Sequence, residues 1–217
     1  NLTNWHHFLD ALKLAGYRGQ KMISSEVTII YCYVLYLLGI RDYRIDRNTV
    51  RQVISEFFFM AAITGRYTNS PETRFEADLS MLRDLSDGSA FIARLRELCA
   101  TTLTGDFWEI TLPSQLATSA ARSPSLFAYQ AALIKLDAPV LFSPMKIASM
   151  VDPAVKGPKA SLEQHHLFPR AYLESQGVKD LKLINQIANF ALIEWPANIK
   201  IGKQSPAEYV PELDAGL

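Results

Sequence analysis

The longest apolar run of the chain, Val27 to Ile40 (VTIIYCYVLYLLGI), limits the fold more than any other stretch. It is shorter than the roughly 20 residues that a membrane-spanning helix needs, and tyrosines and a cysteine interrupt it. The serines and the glutamate directly before the run form a helix start signal, and Gly39 near its end is a stop signal. We therefore predict a helix over about residues 24–38, buried at the centre of a helical bundle.

Helical spacing of apolar residues continues through most of the first 150 residues. Asp46 is placed to cap a helix over residues 50–63, and the run 57–60 (FFFM) is apolar all round, so this helix should be deeply buried. The segment 70–72 (SPE) supplies the cap, the first-turn proline and the acid of another helix start. That helix carries Phe75, Leu79, Leu82 and Leu85 at helical spacing, and further helices are predicted over residues 1–20, 90–100 and 126–136.

Two stretches lack helical periodicity. Residues 101–125 are rich in Thr, Ser, Pro and Gly, and we predict a packed irregular connection there around Phe107 and Trp108. Residues 141–159 contain several prolines and a glycine, which is the composition of a linker. We place a domain boundary near residue 150, which predicts a helical domain over residues 1–150 and a smaller domain over residues 151–217.

The composition limits the partners and the compartment. Lys and Arg number 22, as do Asp and Glu, so net charge says nothing about a polyanionic partner, and nucleic-acid binding needs a local basic patch. Cys32 and Cys99 lie far apart in apolar surroundings, without zinc-ligand spacing, so we expect two reduced, buried thiols. The chain begins at Asn1 rather than Met and has no secretory n-region or h-region. We expect a cytoplasmic protein and part of a longer polypeptide.

The pattern changes after residue 150, where short strand-like segments replace the long helices. The stretch His165-His166-Leu167-Phe168-Pro169 can end one strand and turn out of it. Residues 190–195 (FALIEW) have the composition of a second strand. A short helix is predicted between the strands, and prolines at the first-turn positions start two more helices after the second strand. The predicted order is strand, loop, strand and helix.

The adjacent histidines His165 and His166 carry the chemical signal. Histidine is a common metal ligand and the general base best suited to neutral pH. Adjacent residues of a strand point to opposite faces, so one ring can face a metal while its neighbour faces a water. Phosphodiester hydrolysis needs both a metal and a base. Asn198 offers an oxygen ligand for the same cation, and Asn189 can hold the loop through hydrogen bonds to the backbone.

Several segments together resemble the HNH (ββα-metal) nuclease motif: residues 165–169 (HHLFP), 189–192 (NFAL), 198–203 (NIKIGK) and 205–209 (SPAEY). More narrowly, the chain resembles the C-terminal nuclease domain of the GmrSD-type modification-dependent restriction endonucleases. The resemblance spans residues 160–210 and extends more weakly over residues 50–160. It implies a mainly α protein in which a helical domain precedes a small ββα-metal (HNH) domain. It also implies a metal-dependent DNA endonuclease that nicks or cleaves phosphodiester bonds.

The resemblance assigns a role to each residue of the motif. His166 matches the family's general base, and His165 matches the metal ligand that precedes it. Asn189 matches the loop-positioning residue of the catalytic motif. Asn198 matches the last position, a metal-contacting histidine in many HNH nucleases, so this chain is an HNN variant. No carboxylate stands at these positions, which favours weak binding of Mg²⁺ or Mn²⁺, although imidazole also permits Zn²⁺ or Ni²⁺.

A local basic patch accompanies the motif. Residues 156–203 contain seven lysines and arginines against four acidic residues, in a chain that is neutral overall. We expect Arg170, Lys200 and Lys203 to meet DNA phosphates, because phosphate contacts come mainly from such side chains.

In the family that the chain resembles, the nuclease is joined to an N-terminal nucleotide-hydrolysing domain that senses DNA modification. The present sequence has no Walker-type glycine loop, so we expect the effector part of a restriction or phage-defence protein. Systems that sense phosphorothioated DNA are one kind of candidate parent. The alternative is a non-catalytic nucleic-acid-binding or interaction module with a degenerate HNH shell, which the lack of a carboxylate favours. The oligomeric state is not predicted.

Overall fold

The computed structural model describes residues 2–117, 123–151 and 162–215. The chain folds into two compact units. The first comprises Asn1–Thr111 and Arg122–Lys135, and the second comprises Leu112–Ala121 and Leu136–Leu217. The described part is mainly helical, with one two-stranded antiparallel sheet in the second unit, so the prediction of a mainly α chain is confirmed.

The helices follow one another through short connections. In chain order they are α1 (Leu2–Leu14), α2 (Glu26–Arg41), α3 (Arg47–Ile63), α4 (Pro71–Met81), α5 (Gly88–Thr102), α6 (Leu112–Leu116), α7 (Pro124–Lys135), α8 (Ile147–Met150), α9 (Arg170–Ser175), α10 (Leu181–Ile184), α11 (Trp195–Ile201) and α12 (Pro206–Asp214). Single turns of 3₁₀ or π helix cover Gln20–Met22, Phe107–Thr111 and Ile187–Asn189. The strands are β1 (Leu162–His166) and β2 (Phe190–Glu194).

Helix α3 is the centre of the first unit. It packs against α1, α2, α5 and α7, and most of its side chains are buried. Asp46 caps it, because the carboxylate accepts hydrogen bonds from the backbone N–H groups of Asn48 and Thr49, each at 3.0 Å. The predicted helix start and the predicted deep burial of this helix are both confirmed.

Helix α2 forms where the apolar run predicts it, but it does not take the central position. Its fully buried residues (Thr28, Cys32, Leu35, Tyr36 and Gly39) lie on one helical face, while Ile30 on another face is 57% exposed. Gly39 does not stop the helix. A Cβ atom at this position would lie 2.6 Å from Cγ2 of Val50, so glycine is needed where α2 meets α3.

The predicted irregular connection over residues 101–125 contains helical turns in its described part. Phe107 is buried in the π-helical turn, and its ring meets the half-exposed ring of Trp108 edge to face at 5.2 Å. Pro113 stands in the first turn of α6, where a helix does not use the missing N–H. Pro113 is therefore compatible with a helix in this connection, although prolines are part of the prediction of irregular structure here.

The second unit starts earlier in the chain than the predicted boundary near residue 150. Leu141 donates its backbone N–H to the carbonyl of Leu192 at 2.9 Å, and Leu141 bridges to Ile193 of β2. These contacts attach Leu141 to the sheet, and α8 occupies Ile147–Met150, so the described part of the predicted linker is structured. Residues 152–161, the rest of the predicted linker, lie outside the described residues.

Strands β1 and β2 pair antiparallel, with His165 opposite Ala191 and His166 opposite Phe190. Helix α11 follows β2 without a gap and packs on both strands. Ile193, Ile201 and Tyr209 form the small core beneath the sheet, and each is at most 1% exposed. The second unit thus contains two strands and a helix in the predicted order. No helix within the three described ranges is both long and apolar enough to cross a membrane.

Candidate functional site

The two histidines occupy different environments because they are neighbours on a strand. His165 is buried, at 5% exposure, and its ring meets the ring of Tyr209 edge to face at 5.8 Å. His166 is half-buried, and its ring centroid lies 4.5 Å from that of Phe190. The side chains therefore contact different groups, although their backbones are adjacent at the end of β1.

His165 belongs to a hydrogen-bonded cluster with Asn198 and Glu163. Nδ1 of His165 lies 2.7 Å from Oδ1 of Asn198 and donates to it. Nδ2 of Asn198 donates in turn to Oε2 of Glu163 at 2.5 Å. Glu163 and His165 alternate along β1 and thus share a face, while Asn198 comes from α11. Contact between β1 and α11 brings the three groups together.

The atoms that this cluster offers as metal ligands suit a divalent cation. They are an imidazole nitrogen, an amide oxygen and a carboxylate oxygen, a mixed set that Mn²⁺, Zn²⁺ or Ni²⁺ accepts and that Mg²⁺ accepts through its oxygens. Ligands at about 2.1 Å on neighbouring positions of an octahedral cation lie roughly 3 Å apart. The 2.7 Å between Nδ1 of His165 and Oδ1 of Asn198 is close to that separation, and a cation bound there would take the place of the Nδ1 proton, with Nε2 then carrying the proton of the neutral ring. No trio of His, Cys, Asp or Glu in the described ranges forms a metal cluster, so a site here must use the asparagine.

The electrostatic environment of His165 favours the neutral form of its ring. Burial lowers the pKa of His165 below its usual value; the hydrogen bond to Asn198 opposes this effect, and the nearby charge of His166 adds to it. Nε2 of His165 is buried and has no hydrogen-bond partner among the described residues. The neutral imidazole is the form that binds a metal ion.

His166 is held by a residue outside the predicted motif. Its Nε2 lies 2.8 Å from Oδ1 of Asn185, the residue directly after α10. An amide oxygen only accepts hydrogen bonds, so Nε2 carries the proton and Nδ1 keeps its lone pair. Asn185 therefore selects the tautomer in which Nδ1 of His166 can act as a base.

Asn189 fastens the loop between the strands. It is 9% exposed, its Oδ1 accepts the backbone N–H of Phe168 at 2.8 Å, and its Nδ2 donates to the carbonyls of Ile184 and Phe168 at 2.9 and 3.2 Å. Its own carbonyl accepts from the N–H of Leu167 at 2.8 Å. These bonds fix the exit of β1 and the end of α10, the two segments that present His166 and Asn185.

Helix α12 also holds the backbone that follows β1. The hydroxyl of Tyr209, which is 1% exposed, donates to the carbonyl of Leu167 at 2.5 Å. The capping box of Ser205 and Glu208 starts this helix, and Pro206 stands in its first turn, as predicted for a helix after the second strand. The backbone on the C-terminal side of His166 is thus held by both Asn189 and Tyr209.

The predicted DNA-contacting side chains lie in different ionic surroundings. Arg170 pairs with Glu174 at 2.7 Å within α9, and Lys200 pairs with Glu212 at 2.9 Å. Lys203 is exposed and forms no ion pair among the described residues. Two further lysines of the predicted basic patch, Lys156 and Lys159, lie outside the described residues.

The sequence prediction did not assign roles to Glu163 and Asn185. Glu163 could have been found, because a residue two positions before His165 on a strand points to the same side. This carboxylate belongs to the hydrogen-bonded cluster, although the sequence prediction places no carboxylate at the motif positions. Asn185 carried no spacing signal, since its approach to His166 depends on the path of the whole loop between the strands.

Comparisons with known proteins are sparse. No protein-family profile matches the chain. A curated relative, an uncharacterized protein of Methanocaldococcus jannaschii, is 38% identical over 52 residues. That match covers 24% of this chain and 9% of the relative, so the similarity is limited to a short segment of each. No solved structure matches the chain.

Proposed function

We propose that this chain is a metal-dependent DNA endonuclease that nicks or cleaves phosphodiester bonds by HNH chemistry. One observation carries the proposal. His165 and Asn198 approach each other to 2.7 Å on one side of the β1 end, while His166 is held separately by Asn185 at 2.8 Å. A ligand pair and an oriented base at adjacent positions are the two components that phosphodiester hydrolysis requires.

His166 is the proposed general base. Its Nδ1 accepts a proton from a water molecule, and the water oxygen attacks phosphorus as the bond to the 3′-oxygen breaks. Asn185 keeps the proton on Nε2 and stabilises the imidazolium that forms, because its amide oxygen accepts from Nε2 in both states. Asn189 contributes by holding the loop that presents both residues.

Glu163, His165 and Asn198 are the proposed metal-binding residues. A bound divalent cation would neutralise the charge that develops on the phosphate and on the leaving oxygen. Glu163 supplies the negative charge that a cation site of one imidazole and one amide lacks, and it orients the amide of Asn198 through a hydrogen bond. Mg²⁺ or Mn²⁺ is the proposed physiological metal, with Zn²⁺ or Ni²⁺ as alternatives.

DNA is the proposed substrate, with Lys203, Lys200 and Arg170 at its phosphates. Lys203 is the strongest candidate of the three, since the other two side chains are engaged by carboxylates. We further propose that the chain is the effector part of a cytoplasmic restriction protein whose sensor is a separate nucleotide-hydrolysing domain. This last step rests on the resemblance of the HNH segments.

A non-catalytic nucleic-acid-binding module is the second candidate. The observation that favours it is that the amide of Asn198 is already satisfied on both sides, by His165 and by Glu163. In such a module these bonds would only stabilise the junction of β1 and α11, without any need for a cation.

Conversion of supercoiled plasmid distinguishes the two candidates. The 217-residue chain is incubated with plasmid and Mg²⁺, Mn²⁺, Zn²⁺ or Ni²⁺ in turn, with excess EDTA as the control. We expect nicked or linear product with Mn²⁺ and Mg²⁺ and none with EDTA. Retarded but intact plasmid with every metal would support the binding module and contradict the nuclease.

A further inference from the structure

A cationic cavity lies in the first unit, which does not contain the candidate nuclease residues. Its volume is about 620 Å³, and its walls carry four basic side chains, those of Lys13, Arg18, Arg51 and Lys135. They come from the end of α1, the loop after it, the first part of α3 and the end of α7. Asp10 is the one acidic residue of the lining, and it is paired with Lys13 at 3.3 Å.

Each of the two arginines of this cavity has a buried hydrogen-bond donor without an acceptor among the described residues. Nε of Arg18 and Nε of Arg51 are buried and have no hydrogen-bond partner among the described residues. Within the described residues, neither Arg18 nor Arg51 forms an ion pair, and neither does Lys135. Buried donors in proteins are almost always hydrogen-bonded, and converging cations without counter-charge repel one another. An anion in the cavity would satisfy the donors and remove the repulsion.

The cationic cavity shares part of its wall with an apolar one. A second cavity of about 420 Å³ is lined by Lys13, Arg18 and Glu26 together with mainly apolar and aromatic residues, among them Trp5 and Tyr17. The hydroxyl of Tyr17, a residue that is 3% exposed, is also buried without a partner. The two cavities together present cations on one side and apolar surface with an unused hydroxyl on the other.

We propose that the cationic cavity binds the phosphate groups of a small molecule whose apolar or aromatic part occupies the second cavity, as in a nucleoside di- or triphosphate. Guanidinium groups match phosphate oxygens in geometry, and four cations suit a ligand with several negative charges. The cations converge on one cavity from four segments, which fits a compact polyphosphate better than an extended DNA backbone. This site goes beyond the proposed nuclease activity and does not depend on it.

Isothermal titration calorimetry at constant ionic strength tests the proposal with pyrophosphate, ATP, GTP and adenosine as probes. We expect pyrophosphate to bind, at least one nucleotide to bind more tightly, and adenosine to bind weakly. The R18Q/R51Q variant should bind pyrophosphate at least about tenfold more weakly. The R83Q/R94Q variant removes one exposed and one partly buried arginine of the same unit, both outside the cavity lining, and should bind like the wild type.

Circular dichroism shows whether each variant is folded. If R18Q/R51Q does not fold, K13Q/K135Q replaces it, since both lysines are exposed, and we expect weaker pyrophosphate binding there too. The proposal is overturned if pyrophosphate and the nucleotides fail to bind at millimolar concentration, or if the cavity variants bind them as tightly as R83Q/R94Q does. It is equally overturned if the cavity arginines are needed for binding a DNA duplex while pyrophosphate neither binds nor competes.

Discussion

The amide oxygen of Asn185 lies 2.8 Å from Nε2 of His166. This contact joins the end of α10 to the end of β1 and determines which nitrogen of the imidazole is free. The proposed base is thus prepared by a residue that belongs to no part of the HNH-like motif. Its removal should affect the chemical step more than the binding of DNA.

Asn185→Ala should lower kcat for plasmid nicking by about tenfold with little change in KM, because His166 loses its fixed tautomer. Asn185→Asp should retain most of the activity, since a carboxylate also accepts from Nε2. Initial rates across plasmid concentrations measure both parameters, with Gln176→Ala, at the exposed position directly after α9, as the control. Equal kcat values for Asn185→Ala and the wild type would remove Asn185 from the mechanism.

Glu163→Gln should weaken Mn²⁺ binding by about tenfold, because glutamine keeps an oxygen acceptor for Asn198 but removes the negative charge. Calorimetric titration with Mn²⁺ measures the dissociation constant. Glu174→Gln removes an exposed carboxylate of the same unit, on α9, and serves as the matched control. An unchanged Mn²⁺ affinity in Glu163→Gln would show that Glu163 has only a hydrogen-bonding role.

Asn189→Ala should lower the free energy of unfolding by about 2 kcal/mol, since it leaves the N–H of Phe168 and the carbonyl of Ile184 without partners. Urea denaturation followed by circular dichroism measures this difference. Gln164→Ala, at an exposed position of β1, should change the same quantity by less than about 0.5 kcal/mol. A comparable small change in Asn189→Ala would contradict the loop-holding role.

Lys203→Ala should weaken DNA binding and reduce the slope of log affinity against log salt by about one, because one phosphate contact is lost. Lys200→Ala should have a smaller effect, as Glu212 already engages that ammonium group. Fluorescence anisotropy with a labelled duplex at several salt concentrations measures the slopes. Lys21→Ala, at an exposed position of the first unit, is the control. A slope for Lys203→Ala equal to that control would exclude Lys203 from the DNA interface.

Local signals predicted much of the fold. Asp46 and the Ser205–Glu208 capping box mark helix starts, because their side chains bond backbone groups only a few residues away. Long-range packing could not be predicted in this way. Which of two apolar helices occupies the centre depends on the partners of α3, and Gly39 is needed for an approach to Val50 rather than for helix termination.

In the candidate site too, local features could be predicted from the sequence and long-range contacts could not. Strand alternation explains why the side chains of His165 and His166 point to opposite faces, and it also explains why Glu163 lies on the same face as His165. The contact of His166 with Asn185 spans 19 positions and is made by the path of a loop, which no periodicity encodes. The position of Asn198 against His165 similarly depends on how α11 packs across β1.

The central claim is that His165 binds the metal while His166 serves as the base. It is tested most directly by measuring Mn²⁺ affinity and plasmid nicking for His165→Ala and His166→Ala side by side. We expect His166→Ala to bind Mn²⁺ like the wild type and to nick at least about 100-fold more slowly. We expect His165→Ala to bind Mn²⁺ at least about tenfold more weakly and to regain part of its nicking at high Mn²⁺. Unimpaired nicking by His166→Ala, or unchanged Mn²⁺ affinity in His165→Ala, would contradict this division of roles.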